Sequence, residues 1–208
     1  MKKLLIILLC LPMIGFGQQT YVPDDDFEQE LINLGYDTVL DDSVLTVNIS
    51  YVTSLILSNL NISDLTGIEA FTSLTFLSCQ NNQLSSLDVT QNTQLTHLNV
   101  ILNSITNLDL SNNTLLGALF CGENSLTSID VSHNTSLTVL SCYENQITSL
   151  DITQNTALTD LSCQYNQITN LDVTQNTALT NLTCGINQIT NLDVTQNTAL
   201  TNLFCGIN

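Results

Sequence analysis

Apolar and polar residues alternate along most of this chain with a constant long period. From position 74 onward one unit of 21 residues recurs, and its copies begin at Leu74, Leu95, Leu116, Leu137, Leu158, Leu179 and Leu200. A fixed period of this length is typical of a solenoid, in which each unit is one coil that buries its apolar face only against its neighbours. The pattern therefore predicts a repeat solenoid and confines function to what the coils display on their surface.

Each unit is predicted to contain a strand, a corner and a return leg. In the unit that begins at Leu158, Leu161 and Cys163 alternate about a polar residue, as a strand requires. Asn166 then turns the chain, and the apolar residues that follow leave no room for a full helix on the return leg. We expect the corner asparagines to bond backbone groups of their own and neighbouring coils. This row comprises Asn82, Asn103, Asn124, Asn145, Asn166, Asn187 and Asn208.

The N-terminal segment has the composition of an export signal over residues 1–17. Two lysines precede an apolar stretch from Leu4 to Ile14, which is too short to span a bilayer. Cys10 follows two leucines rather than a small residue, which argues against lipid attachment. The rest of the chain contains no stretch that would cross a membrane.

Residues 18–51 are predicted to cap the solenoid, because a polar-faced end piece shields the first coil. A short helix is expected from Tyr21 to Gly35, with Asp25 and Glu28 forming a capping box. The remainder of the cap shows strand-like alternation between positions 44 and 49. The repeat domain is then assigned to residues 52–208, as one divergent coil of 22 residues followed by coils of 21.

The repeat consensus, L-x-x-L-x-C-x-x-N-x-[IL]-[TS]-x-L-D-[VIL]-[TS]-x-N-T, resembles the leucine-rich repeats of secreted bacterial proteins. It is most similar to the internalin-like branch in which cysteine replaces a core leucine. The resemblance implies a right-handed curved solenoid with a parallel β-sheet on its concave face, used to bind proteins or other macromolecules. Leu60 departs from the pattern by standing where a corner asparagine is expected. The chain also stops at Asn208, the ninth place of a unit, which predicts a fragment or a continuation into further repeats and an anchoring segment.

Six cysteines hold one place in successive repeats, and Val100 occupies the same place in the remaining unit. A position that accepts valine suits a small apolar side chain, so we predict reduced core thiols. Disulfides between coils are the alternative, but stacked side chains run parallel rather than converge. The row comprises Cys79, Cys121, Cys142, Cys163, Cys184 and Cys205.

The charge balance excludes several classes of partner. Lys2 and Lys3 are the only lysines or arginines, so removal of the signal leaves 19 carboxylates and no Lys or Arg. Nucleic acid and anionic membrane surfaces are therefore excluded as partners, because both are bound through cations. Cationic partners and metal ions stay open.

An outward-facing aspartate row repeats with the same period. Each aspartate precedes a threonine or serine by two residues, which favours local turn capping. Stacked like charges would also suit a divalent cation, and calcium accepts irregular carboxylate sites. The row comprises Asp88, Asp109, Asp130, Asp151, Asp172 and Asp193.

The outward positions on and after each strand vary, whereas the rest of the unit recurs almost verbatim. Aromatic and apolar side chains on a rigid sheet suit macromolecular recognition; drift, or stacking that stiffens the sheet, is the alternative. The predicted binding residues are Phe76, His97, Ile101, Leu102, Phe120, Glu123, Tyr143, Glu144, Asp160, Tyr165, Ile186 and Phe204.

No catalytic site, bound cofactor or enzymatic activity is predicted. His97 and His133 fall on different faces, and the sequence has no phosphate-binding glycine loop and no zinc spacing. The leading hypothesis is a binding module, secreted or on the outer cell surface, that recognises an extracellular protein or a glycan. The alternative is a structural surface or matrix spacer stabilised by calcium.

Overall fold

A computed structural model describes residues 17–208, so the export signal predicted for residues 1–17 and its Cys10 lie outside the described residues, except for Gly17. The described chain begins with a small cap made of two strands and two short helices. Strand β1 pairs antiparallel with β2. The cap elements are β1 (Gln19–Tyr21), α1 (Asp25–Asn33), β2 (Ser43–Leu45) and α2 (Thr46–Ile49).

Eight further strands form one parallel sheet, with one strand from each coil and neighbours in chain order. Successive strands pair in the register of the repeat, so that Leu77 lies opposite Leu98. The strands are β3 (Ser54–Ile56), β4 (Phe76–Ser78), β5 (His97–Asn99), β6 (Ala118–Phe120), β7 (Val139–Ser141), β8 (Asp160–Ser162), β9 (Asn181–Thr183) and β10 (Asn202–Phe204). The predicted parallel-sheet solenoid is confirmed.

The return legs are built from turns, as the short spacing of their apolar residues predicts. The divergent first coil has one 3-10 turn at Ile68–Ala70, and from position 74 to the end of the described chain the legs contain no helix. Their leucines, isoleucines and valines pack against the sheet. Ile168, Leu171 and Val173 are buried together with Leu161 and Cys163 of the same coil. Each coil therefore contributes one slice of a continuous apolar core.

The cysteine row lies in this core. Five of its thiols are buried and free, and Val100 is fully buried in the same place. Cys205 is also free but exposed, because its coil has a neighbour on only one side. Burial raises the pKa of the Cys79 and Cys142 thiols to about 12. The prediction of reduced thiols is confirmed.

The corner asparagines connect neighbouring coils through both ends of their amides. Asn145 accepts a hydrogen bond at Oδ1 from the backbone N–H of Leu126, 2.9 Å away, in the preceding coil. Its Nδ2 donates back to the Cys121 carbonyl of that coil at 3.0 Å and to the Cys142 and Tyr143 carbonyls of its own corner at 3.2 and 3.1 Å. The predicted role of this row is confirmed.

The same geometry explains why Leu60 is tolerated in place of a corner asparagine. Each corner is held by the asparagine of the following coil, and Asn82 bonds the backbone N–H groups of Leu60 and Ile62 as well as the Leu57 carbonyl. The first coil has only the cap before it, so an asparagine at position 60 would have no preceding corner to hold.

A second asparagine row, which the sequence analysis did not single out, holds the return legs. Asn134 is fully buried, and its Nδ2 donates to the carbonyls of Leu110 and Asn113 in the preceding coil at 3.1 and 2.9 Å. The same bonds recur along the row, whose buried members are Asn92, Asn113, Asn134, Asn155, Asn176 and Asn197. Asparagine amides therefore link neighbouring coils at two places, the corner after the strand and the return leg.

The cap differs from the sequence prediction in two ways. The helix covers Asp25–Asn33 rather than Tyr21 to Gly35, because Tyr21 belongs to β1 and the helix is capped by Asp24, whose Oδ1 accepts from the Phe27 N–H at 3.0 Å. The capping box of Asp25 and Glu28 is wrong. Glu28 is buried and accepts the backbone N–H groups of residues 41, 42 and 43 at 3.1, 3.0 and 2.9 Å.

The segment between positions 44 and 49, for which strand-like alternation is predicted, contains parts of two elements. The strand β2 ends at Leu45, and a single helical turn, α2, follows it. Val44 and Ile49 are both buried, which one continuous strand would not allow for residues five apart. The strand prediction is therefore confirmed for β2 and wrong from Thr46 to Ile49.

We expect Asn145→Ala to lower the free energy of unfolding by about 3 kcal/mol, because it leaves a backbone N–H and several carbonyls in two coils without partners. Urea unfolding followed by circular dichroism measures this change. The control Gln146→Ala removes the neighbouring exposed amide and should change stability by less than about 0.5 kcal/mol. Equal effects of the two substitutions would contradict the role assigned to the corner amide.

We expect alkylation of the native protein at pH 8 to modify Cys205 and to spare the five buried thiols, because the thiolate is the reactive form and burial suppresses it. Peptide mapping by mass spectrometry after a short exposure to iodoacetamide gives the modified positions. In denaturant all six should react. Recovery of disulfide-linked peptides from the untreated protein would contradict the assignment.

Candidate binding face

The twelve predicted binding residues lie in four parallel columns along and beside the sheet, and none of them is buried. We call this surface the concave face. The first strand position carries Phe76, His97 and Asp160. The third carries Phe120 and Phe204. Ile101 and Tyr143 follow the core cysteine position, and one place further come Leu102, Glu123, Glu144, Tyr165 and Ile186. The residues therefore line an extended face and do not converge on one pocket.

The first column changes character along the solenoid. Near the cap, the rings of Phe76 and His97 lie with centroids 6.0 Å apart. Toward the far end, the side chains are polar and bonded to one another. Asn181 donates to Asp160, and Asn202 donates to the Asn181 Oδ1 at 2.5 Å. The concave face thus offers an aromatic surface at one end and a polar hydrogen-bonded row at the other.

Tyr143 lies flat on the sheet because the preceding coil has a glycine beneath its ring. A Cβ at Gly122 would come within 2.5 Å of the Tyr143 ring, so any side chain there would displace the tyrosine. The tyrosine hydroxyl donates to Glu123 Oε1 at 3.1 Å. Burial, this hydrogen bond and the charges of Glu123 and Glu144 raise the pKa of Tyr143 above its usual value. The ring is therefore held by its packing on Gly122 and by the hydrogen bond to Glu123.

Gly185 makes room for the Phe204 ring in the same way. A Cβ at Gly185 would lie 2.9 Å from the Phe204 ring and 2.7 Å from the Gly206 carbonyl oxygen. Sequence analysis selected the two aromatic residues but missed the two glycines that let their rings approach the backbone. The sequence does place a glycine 21 residues before Tyr143 and another 19 residues before Phe204, and these glycines are the signal that could have indicated the contacts.

The residue before each corner asparagine has a left-handed backbone conformation. We call this column the corner ridge, and its φ angles lie between 49° and 58°. Left-handed conformations cost about 1 kcal/mol or more for residues other than glycine and asparagine. Only the first of the seven is an asparagine, so the chain keeps bulky side chains at strained positions. The corner ridge comprises Asn81, Leu102, Glu123, Glu144, Tyr165, Ile186 and Ile207.

The aspartate row is engaged in local turns. Asp88 Oδ1 accepts from the Thr90 N–H and hydroxyl at 2.9 and 2.7 Å, and Asp172 makes the same bonds with Thr174. These hydrogen bonds hold the pKa of both carboxyls below the usual value. The turn-capping interpretation accounts for the row without a cation.

Two other groups of titratable residues do not form a functional site. His97 lies on the concave face, whereas His133 lines a groove with Asp109 and Asp130 on the return legs. In the described part of the cap, carboxylate oxygens of Glu28, Asp37 and Asp41 come within 4.8 Å of one another. Both Glu28 oxygens already accept backbone N–H groups, so this cluster organises the cap loop.

No protein-family model matches this chain. Internalin J of Listeria monocytogenes serotype 4b (strain F2365) is 42% identical over 73 residues, a match that spans 35% of this chain and 8% of the relative. The chain therefore represents a small part of that protein's length.

Solved structures extend the similarity. The functional domain of InlJ from Listeria monocytogenes, which includes a cysteine ladder, superposes with a TM-score of 0.87 at 43% identity. This match covers 92% of the present chain and 44% of that domain. A leucine-rich repeat protein of Leptospira interrogans gives a TM-score of 0.70 at 29% identity, over 74% of this chain and 43% of the other.

Residues 17–208 contain no helix that is long and apolar enough to cross a membrane. The row of core cysteines matches the cysteine ladder of the InlJ domain, and the parallel-sheet solenoid matches both solved structures. This chain therefore has the internalin-like leucine-rich repeat fold, of the type in which a cysteine stands in the core of most 21-residue repeats.

Proposed function

We propose that this protein is a secreted or cell-surface binding module that recognises an extracellular protein through its concave face. The observation that carries the proposal is the contrast between two parts of the same unit. The core residues, the corner asparagines and the return legs recur almost verbatim, whereas the concave columns vary from coil to coil. Variation restricted to one exposed face of a rigid frame is what a specific binding surface needs.

The geometry of the aromatic residues supports this function. Tyr143 is held in place by its seat on Gly122 and its bond to Glu123, and Phe120 is half-buried in the neighbouring strand column. Large side chains that are already ordered lose little conformational entropy on binding. Aromatic residues with these properties dominate the binding energy of many protein interfaces.

We assign a surface-exposed role to this protein on two grounds. One is the predicted export signal of residues 1–17, and the other is the similarity to internalin J. Adhesion is a further expectation that rests on this similarity. Because the chain spans less than half of the InlJ domain, the partner is proposed from the chemistry of this face alone.

A structural spacer bridged by calcium is the second candidate, and the aspartate row favours it. The charge of Asp109 opposes the ionisation of Asp88, so neighbouring carboxylates in the row repel one another. The sequence after the signal has no lysine or arginine to offset this repulsion. Calcium bound between coils would offset it.

We expect the double variant Phe120→Ala with Tyr143→Ala to weaken partner binding about tenfold or more, because it removes two aromatic anchors. The measurement is a pull-down of a panel of extracellular proteins and glycans by the chain, followed by titration of the captured ligand. Melting curves of both proteins establish that the variant is folded.

The matched control is Gln154→Ala with Gln196→Ala, which alters two exposed residues of the return legs. This control should bind as the parent does. A partner that binds both variants equally well would show that the concave face is not the binding surface. Selective capture of a glycan would show that the partner is a glycan and not the protein proposed here.

Calcium distinguishes the two candidates. Because the aspartates are already capped by their own turns, we expect the melting midpoint to be the same with calcium and with a chelator at matched ionic strength. A rise of several degrees with calcium, abolished by Asp130→Asn with Asp151→Asn, would favour the calcium-bridged spacer.

A further inference from the structure

We propose that the corner ridge of coils four to six, at Glu123, Glu144 and Tyr165 together with Tyr143, binds an arginine side chain of the partner protein. The inference rests on the proposed function and names the chemistry of the partner at one part of the same face. It is carried by the juxtaposition of two carboxylates and two aromatic rings on consecutive coils.

The four side chains are brought together by the stacking of the coils. Glu123, Glu144 and Tyr165 hold the same place in three successive units, and backbone hydrogen bonds link the ridge to the following coil, with Glu144 N–H donating to the Gln164 carbonyl at 3.0 Å. Neighbouring strands of a sheet lie about 4.8 Å apart. The two carboxylates and the Tyr165 ring therefore follow one another along the ridge, one coil apart.

Tyr143 completes the patch and orders it. Its ring is seated on Gly122, and its hydroxyl occupies one oxygen of Glu123. The second oxygen of Glu123 and both oxygens of the exposed Glu144 are free of protein hydrogen bonds within the described residues. The Tyr165 side chain is 49% exposed, so its ring is available for stacking.

Charge complementarity identifies a cationic occupant. The chain after the signal has 19 carboxylates and no lysine or arginine, so no residue of its own after position 17 neutralises Glu123 and Glu144. A guanidinium group binds carboxylates through a fork of N–H donors and stacks on aromatic faces at the same time. A lysine ammonium would gain the charge attraction without the stacking. Calcium requires six or more oxygen ligands, which these two carboxylates do not provide.

The test uses three fluorescent peptides of one design, Gly-Ser repeats interrupted by four arginines, four lysines or four citrullines. Fluorescence anisotropy against the full chain measures each dissociation constant at two salt concentrations. We expect the arginine peptide to bind most tightly and the citrulline peptide not to bind. Glu123→Gln with Glu144→Gln should weaken arginine-peptide binding on the order of tenfold.

Two variants make the result specific to the ridge. Asp25→Asn with Asp26→Asn removes two exposed charges from the cap and should leave the affinity within about twofold, because only distant charge is lost. Tyr165→Leu should reduce the preference for arginine over lysine to near unity, since the leucine cannot stack on a guanidinium.

Equal weakening by the cap variant and the ridge variant would show a general acidic attraction and overturn the ridge site. Failure of the arginine peptide to bind would overturn it as well. In either case, loss of partner capture by Phe120→Ala with Tyr143→Ala would still support the binding module, so the two proposals fail separately. Binding of lysine and arginine peptides with equal affinity to the parent chain would also contradict the proposal.

Discussion

Each coil after the first is joined to the one before it by an asparagine amide at the corner, in addition to the sheet pairing and the asparagines of the return legs. The amide of Asn145 both accepts from and donates to the preceding coil, while also closing the corner of its own. A tight corner leaves backbone groups that water cannot reach, and unpaired buried groups of this kind are costly. Because the same bonds recur from the second coil onward, the corners repeat in register.

This frame separates the residues that stabilise the solenoid from those of the proposed binding face. The stabilising residues are the inward-facing residues and the corner asparagines, which hardly vary, so the outward positions beside them are free to change. Tyr143 and Phe204 make use of this freedom, because Gly122 and Gly185 allow their rings to lie on the backbone. The corner ridge goes further, since its bulky residues occupy left-handed positions where asparagine or glycine would be less strained.

The cap solves a different problem, which is to cover the first coil without repeating it. Asp24 caps α1 and also accepts hydrogen bonds from Ser63 and Asp64 of the first coil. Glu28 is buried and gathers three backbone N–H groups of the cap loop. The Asp24 carboxylate thus joins the cap to the first coil, where the later coils are joined by amides.

The sequence by itself determined the solenoid, its parallel sheet, the buried thiols and the corner asparagines, because a strict period requires each residue type to occupy one environment in every coil. It also determined which columns are exposed, since alternation along a strand decides the face. Only the tertiary structure decided how Glu28 and Asp24 are used in the non-repeating cap, where their partners lie 13 to 40 residues away. It alone placed Tyr143 on Gly122 beside Glu123 and Glu144, because contacts between adjacent coils depend on how one coil lies on the next.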